Sequence, residues 1–200
     1  MDYKIGISTV LKGKLEADTA RWREDTLLRL YPKAVPLWKK TPETLQAARC
    51  MQVDDFLASD CTHLFLLDSD CIPQPYTLER LVAYDLPLVA APHPAIKGDE
   101  LGVMVLDRDP AGNGYVQHRP FGLSAGLQGP NVVVGCAGML IKREVFETIG
   151  QPWFRCVYDE ETGKLLKTED FDLCDRAHAV GIPVWADCGL RQQHEVSVRI

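Results

Sequence analysis

The chain has 200 residues, 46% apolar and 25% charged, which suits one compact domain spanning 1–200 with a core of useful size. A formal net charge of -6 argues against nonspecific nucleic-acid binding, which needs clustered Lys and Arg, and no polybasic run points to anionic membranes. No stretch approaches the roughly 20 apolar residues of a membrane span, and the opening Met1-Asp2-Tyr3-Lys4-Ile5-Gly6-Ile7 has no signal-peptide pattern. The seven cysteines form no Cys-x-x-Cys pair, and several stand in apolar runs, so buried thiols in a reducing, cytoplasmic setting are expected.

In chain order, Lys4 to Val10 reads as a buried strand. A helix follows from Asp18 to Leu30 with Leu27, Leu28 and Leu30 inward, ended by Tyr31-Pro32. Ala34 to Trp38 is a short strand that Pro36 confines to an edge, or a loop. Thr41 and Pro42 suit an N-cap and first helical position, and Leu45, Ala48, Val53, Phe56 and Leu57 then share one helical face. His63 to Leu67 is a continuous apolar run of the kind found in a central strand. Tyr76 to Tyr84 reads as helix and Leu86 to Ala91 as strand. This alternation predicts an α/β fold with a mostly parallel sheet and helices on its faces.

Between Pro92 and Pro130 glycines and prolines weaken the pattern, leaving Val103 to Leu106 and Tyr115 to His118 as short strands. Asn131 to Val134 and Met139 to Ile141 read as strands around Gly135-Cys136-Ala137-Gly138. Arg143 to Ile149 is a short helix closed by Gly150. Phe171 to Val180 is a helix stopped by Gly181, its His178 structural, and Val184 to Ala186 is a last strand.

Three places carry chemistry. Asp68-Ser69-Asp70 stands where the central strand ends, and ligands of open α/β sheets bind beyond such ends. Its carboxylates can reach a hard divalent cation that also holds a diphosphate; the plainer reading is a polar turn capped by Asp70. Glu169-Asp170 opens a helix whose dipole favours charged carboxylates, one of which can act as a general base; the plainer reading is acidic capping. His194, after the last strand, can complete a metal site, against the plainer reading of a solvated imidazole.

In this order the three pieces resemble the GT-A glycosyltransferases, particularly the inverting family 2 type. The resemblance is strongest over Ala47-Ala48-Arg49 to Asp70 and over Val133 to His194. It includes the glycine-containing run Gly135 to Gly150, Pro152-Trp153-Phe154, Thr168-Glu169-Asp170, Cys174-Asp175-Arg176-Ala177, Gly181, Asp187 and His194. It implies a GT-A-like nucleotide-diphospho-sugar transferase fold. It also implies a metal-dependent enzyme that moves a hexose-like sugar, with inversion, from a nucleoside diphosphate sugar to a hydroxyl acceptor.

By the same resemblance, Asp68, Asp70 and His194 hold Mn²⁺ or Mg²⁺ and the diphosphate. Asp170 deprotonates the acceptor, and Glu169 touches acceptor or donor sugar. Ser8 and Thr9 lie near the nucleotide, Arg49 approaches base or diphosphate, Gly135 and Gly138 admit the donor closely, and Trp153 or Phe154 stacks on a sugar face. Two departures stand out: Cys50 replaces the family's Asn after Ala48-Arg49, and Trp38-Lys39-Lys40 replaces its base-reading acidic turn, which leaves the base open. Rival readings are a nucleotidyltransferase on a similar fold and a non-catalytic sugar- or nucleotide-binding module.

Overall fold

The computed structural model describes residues 2–11, 15–37, 44–97, 100–111, 114–118, 125–190 and 192–194. The chain opens with β1 (Ile5–Val10), α1 (Ala17–Leu30), β2 (Ala34–Leu37), α2 (Leu45–Ala58) and β3 (His63–Asp68). β4 (Cys71–Ile72), α3 (Thr77–Ala83) and β5 (Leu88–Ala90) follow. The stretch that reads as irregular holds more strand than its sequence suggests: β6 (Pro94–Lys97), β7 (Glu100–Val103), β8 (Val105–Arg108), β9 (Tyr115–Gln117), β10 (Leu127–Gln128) and β11 (Val133–Val134). The chain then forms β12 (Met139–Lys142), α4 (Arg143–Ile149), β13 (Val157–Tyr158), β14 (Leu165–Lys167), α5 (Glu169–Ala179), β15 (Val184–Asp187) and β16 (Gln193–His194).

The main sheet has seven strands in the order β10-β15-β5-β12-β3-β1-β2. β1 pairs in parallel with β2 and β3, and β15 with β5, whereas β12 lies antiparallel between β3 and β5 and β10 is antiparallel to β15. Five strands therefore run one way and two the other, which makes the sheet mostly parallel. β2 is an edge strand, where the missing N–H of Pro36 costs least.

Strand side chains alternate between two cores, as the pleat requires. Leu64, Leu66, Leu88, Ala90, Met139 and Ile141 face Val53 and Phe56 of α2, Val145 and Phe146 of α4, and Leu173, Cys174 and Ala177 of α5. Ile5, Ile7, Phe65, Leu67, Val89 and Leu140 face Trp22 of α1 and Leu78, Leu81 and Val82 of α3. Helices thus cover both faces. Among the described residues no helix is long and apolar enough to cross a membrane. All seven cysteines are free, and Cys61, Cys71, Cys136, Cys174 and Cys188 are buried.

Several local expectations change. The buried face of α1 is Thr19, Trp22, Arg23 and Thr26, while Leu28 is 80% exposed. That face has helical spacing but polar residues, because its side chains bond to the segment after Asp68: Thr19 Oγ1 donates to Cys71 O and Trp22 Nε1 to Gln74 O. Thr44 caps α2, accepting from Ala47 N at 3.2 Å. Thr41, Pro42 and Trp38-Lys39-Lys40 lie outside the described residues. α5 begins at Glu169, so the acidic pair occupies its first turn, and His178 on that helix is exposed.

Candidate functional site

β1, β3 and β5 run in the same direction, so the segments after their last residues gather at one edge of the sheet. Here Asp68, Ser69 and Asp70 line a small cleft of about 120 Å³ together with Val10, Leu45 and His194. Asp68 ends β3 on the side facing α2. Its Oδ1 accepts a short, charge-assisted hydrogen bond from Nη2 of Arg49, which is 1% exposed. Arg49 Nη1 donates to Gln52 Oε1 at 3.2 Å, and Gln52 Nε2 donates to Ser8 Oγ at 2.9 Å. Burial acts to lower the Arg49 pKa, but the pull of Asp68, joined by that of Glu169, raises it above the usual arginine value. Arg49 is therefore a buried cation held against Asp68.

The second half of Asp68-Ser69-Asp70 meets the C-terminal part of the chain. β16 pairs antiparallel with β4, setting His194 opposite Cys71 and Gln193 opposite Ile72. His194 Nε2 lies 3.5 Å from Asp70 Oδ2. Its Nδ1 lies 3.0 Å from Pro94 O, and a carbonyl can only accept, so Nδ1 carries a proton and Nε2 is the nitrogen left to face Asp70. Asp70, Cys71 and His194 each offer one ligand atom within 4.8 Å of the others. The donor set fits a divalent metal. His93 packs edge-on to His194 with ring centroids 5.7 Å apart, and burial holds it below the usual histidine pKa, with Asp68 opposing.

The acidic helix start is a second group, outside the lining of that cleft. Asp170 Oδ1 accepts from Thr168 Oγ1 at 2.5 Å and from Phe171 N at 2.9 Å, which fixes its carboxylate at the first turn of α5. Glu169 is 7% exposed and lies 3.8 Å from Cys156 Sγ. Burial, then the charge of Asp170, raises its pKa above 4.5, with Arg49 opposing. Asp172 points away and accepts from Arg155 Nε at 2.7 Å. Cys136 is 4% exposed, and burial pushes its thiol pKa well above the usual cysteine value.

Ser8 and Thr9 are both buried at the end of β1. Ser8 belongs to the Arg49 network. Thr9 Oγ1, Arg49 Nε and His93 Nδ1 are buried polar atoms with no hydrogen-bond partner among the described residues. Gly138 has φ +83, and a Cβ there would meet Gln192 Nε2 at 2.1 Å. A Cβ on Gly135 would meet His93 Cε1 at 2.5 Å. Both glycines make room for the protein's own side chains. The reading of Trp153 and Phe154 is corrected. Trp153 is 6% exposed and donates to Phe146 O at 3.0 Å, and Phe154 is wholly buried, so neither offers a face to a sugar. Sequence reasoning missed Cys71, Gln52 and His93. Cys71 stands next to Asp70, but only the β4–β16 pairing turns it toward His194.

No model of a protein family matches the sequence, nor does any curated protein. Solved structures do. A197 from STIV superposes with a TM-score of 0.67 at 17% identity, covering 97% of this chain and 86% of that one. S. aureus TarS 1-349 in complex with UDP-GlcNAc gives 0.53 at 8% identity, covering 98% and 60%. GalNAc-T7 with UDP, GalNAc and Mn²⁺ gives 0.52 at 12% identity, covering 98% and 44%, so the chain spans under half of that protein. At these identities the likeness is one of fold: the chain shares the α/β architecture of these three structures, the GT-A-like fold.

Proposed function

We propose that the protein is a metal-dependent glycosyltransferase of the inverting type, moving a sugar from a nucleoside diphosphate sugar to a hydroxyl acceptor. One observation carries the reading. On a GT-A-like fold, Asp70 and the distant His194 meet at 3.5 Å beside Asp68, in a cleft at the carboxyl edge of the central strand. Asp70 and His194, with Asp68 beside them, would hold a divalent cation such as Mn²⁺, which when bound would neutralise the charge of the departing diphosphate. Arg49 adds a fixed positive charge beneath Asp68. Thr9, with its bare hydroxyl, supplies a donor near the nucleotide.

Asp170 is the base. Its carboxylate is oriented by Thr168 and the Phe171 amide. It takes the proton of the acceptor hydroxyl, whose oxygen attacks the anomeric carbon while nucleoside diphosphate leaves from the opposite face. Glu169, largely buried beside Cys156, contacts acceptor or donor sugar. Uridine diphosphate is the first nucleotide to test, since the GalNAc-T7 structure holds UDP and the TarS structure UDP-GlcNAc.

The experiment is a thermal-shift panel of nucleoside diphosphates and nucleotide sugars, with Mn²⁺ and with chelator. A ligand of the native state raises the melting temperature by mass action, and the shift is expected only in the metal arm. A panel without any metal-dependent shift overturns the reading.

A further inference from the structure

We propose that Cys71 is a third protein ligand of the metal held by Asp70 and His194, so that the centre takes a thiophilic divalent ion of the zinc–cobalt class in preference to a hard one such as Mg²⁺. The inference rests on the reading of Asp70 and His194 as metal ligands and departs from the expectation of an all-oxygen and imidazole site.

Three observations from different parts of the chain carry it. The ligand atoms of Asp70, Cys71 and His194 lie within 4.8 Å of one another. In the register of β16 on β4, His194 is the direct cross-strand neighbour of Cys71, so their side chains share one face. The Nδ1 contact of His194 with Pro94 O presents Nε2 to that same group. Two further features hold the sulfur in place: Cys71 is wholly buried, and its backbone is tied to α1 by Thr19.

The chemistry follows from the donors. Carboxylate alone suits Mg²⁺ and Mn²⁺, whereas thiolate with imidazole suits zinc and its neighbours. Three protein ligands with a fourth position open to a substrate oxygen is the arrangement of catalytic zinc sites. Bonds of roughly 2.0–2.3 Å require the three groups to draw in by about an ångström. The cleft beside Asp70 and His194 leaves the fourth position for a diphosphate oxygen. When the sulfur–metal bond forms, the S–H bond breaks and its proton passes to solvent; no electron is transferred.

The test titrates Co²⁺ into the reduced chain, following near-ultraviolet absorbance and heat together, with and without UDP. The expected result is a sulfur-to-cobalt charge-transfer band that saturates with the calorimetric binding curve. The band is retained when the two half-exposed cysteines are replaced (C50S with C156S) and lost in C71S. In C71S, Co²⁺ affinity falls at least about tenfold further than Mn²⁺ affinity. Circular dichroism checks that C71S folds. If it does not, H194A decides, since it keeps the thiol and should weaken binding and band together. Co²⁺ that binds the parent without the band overturns the proposal and leaves the metal site standing, as does a band that survives C71S. No Co²⁺ binding in either arm overturns both this proposal and the metal reading.

Discussion

The two acidic groups at the sheet edge use the same kind of side chain and are held by opposite means. Asp68 and Asp70 belong to strand ends and are answered by cations or ligand-capable groups: Arg49 beneath Asp68, and His194 across from Asp70. Glu169 and Asp170 belong to a helix start and are answered mainly by dipoles, the Thr168 hydroxyl and the Phe171 amide on Asp170. The neighbouring Asp172 has its own guanidinium, that of Arg155. Carboxylates paired with cations make a place to bind charge, whereas one held by a hydroxyl and a backbone amide is oriented without a cation occupying it.

The sharpest way to break this comparison is Arg49→Ala. It removes a fully buried guanidinium from Asp68 and leaves a void beneath the site, at an expected cost of about 3–5 kcal/mol in unfolding experiments. A cost below about 1 kcal/mol would put the pair on the scale of an exposed surface bridge and remove Arg49 from the account. Next comes Asp170→Asn, which keeps size and capping ability and loses basicity. Single-turnover transfer with saturating donor should fall roughly a hundredfold or more, with donor binding near normal. Parental transfer would make Asp170 a helix cap.

A smaller effect separates Glu169 from its neighbour. Its folded pKa is raised, so its neutral form is favoured in the native state and the associated stability is lost as pH rises from about 4.5 through the folded value. Glu169→Gln keeps the neutral form at every pH. Measured against the parent at the same pH, it should gain in melting temperature as pH rises from about 4.5 to 7. A difference between variant and parent that does not change over that range would contradict the assignment. In transfer assays it should weaken acceptor affinity more than the chemical step.

Much of this arrangement is legible in the residues. The apolar run His63 to Leu67 leading into Asp68 marks the strand end, and Thr168-Glu169-Asp170 before Phe171 marks the helix start. Both signals are local, since a strand or helix boundary is written in neighbouring residues. What escapes is non-local or runs against polarity. The buried face of α1 is written as Thr19, Trp22, Arg23 and Thr26, three of them polar, and Thr19 and Trp22 bond to the segment after Asp68. Arg49 reads as a surface charge until Asp68 and Gln52 are seen to enclose it. Cys71 reads as one more core thiol until β16 folds back on β4. The hairpin of β6 and β7 and the small sheet of β11, β8 and β9 are hidden by the Gly and Pro content between Pro92 and Pro130.

A further, milder test is His194→Ala, which should weaken metal-dependent nucleotide binding while the fold stays intact by circular dichroism. Parental metal and nucleotide binding would reduce His194 to a packing residue beside His93.

The central claim is that Asp70 holds a metal through which diphosphate binds, because two anionic groups do not share a site without a cation between them. The direct measurement is calorimetric titration of UDP into the chain in Mn²⁺ and in EDTA, repeated with Asp70→Asn. The account predicts tighter binding in Mn²⁺ and loss of most of that difference in Asp70→Asn. Equal affinities in metal and chelator would contradict it.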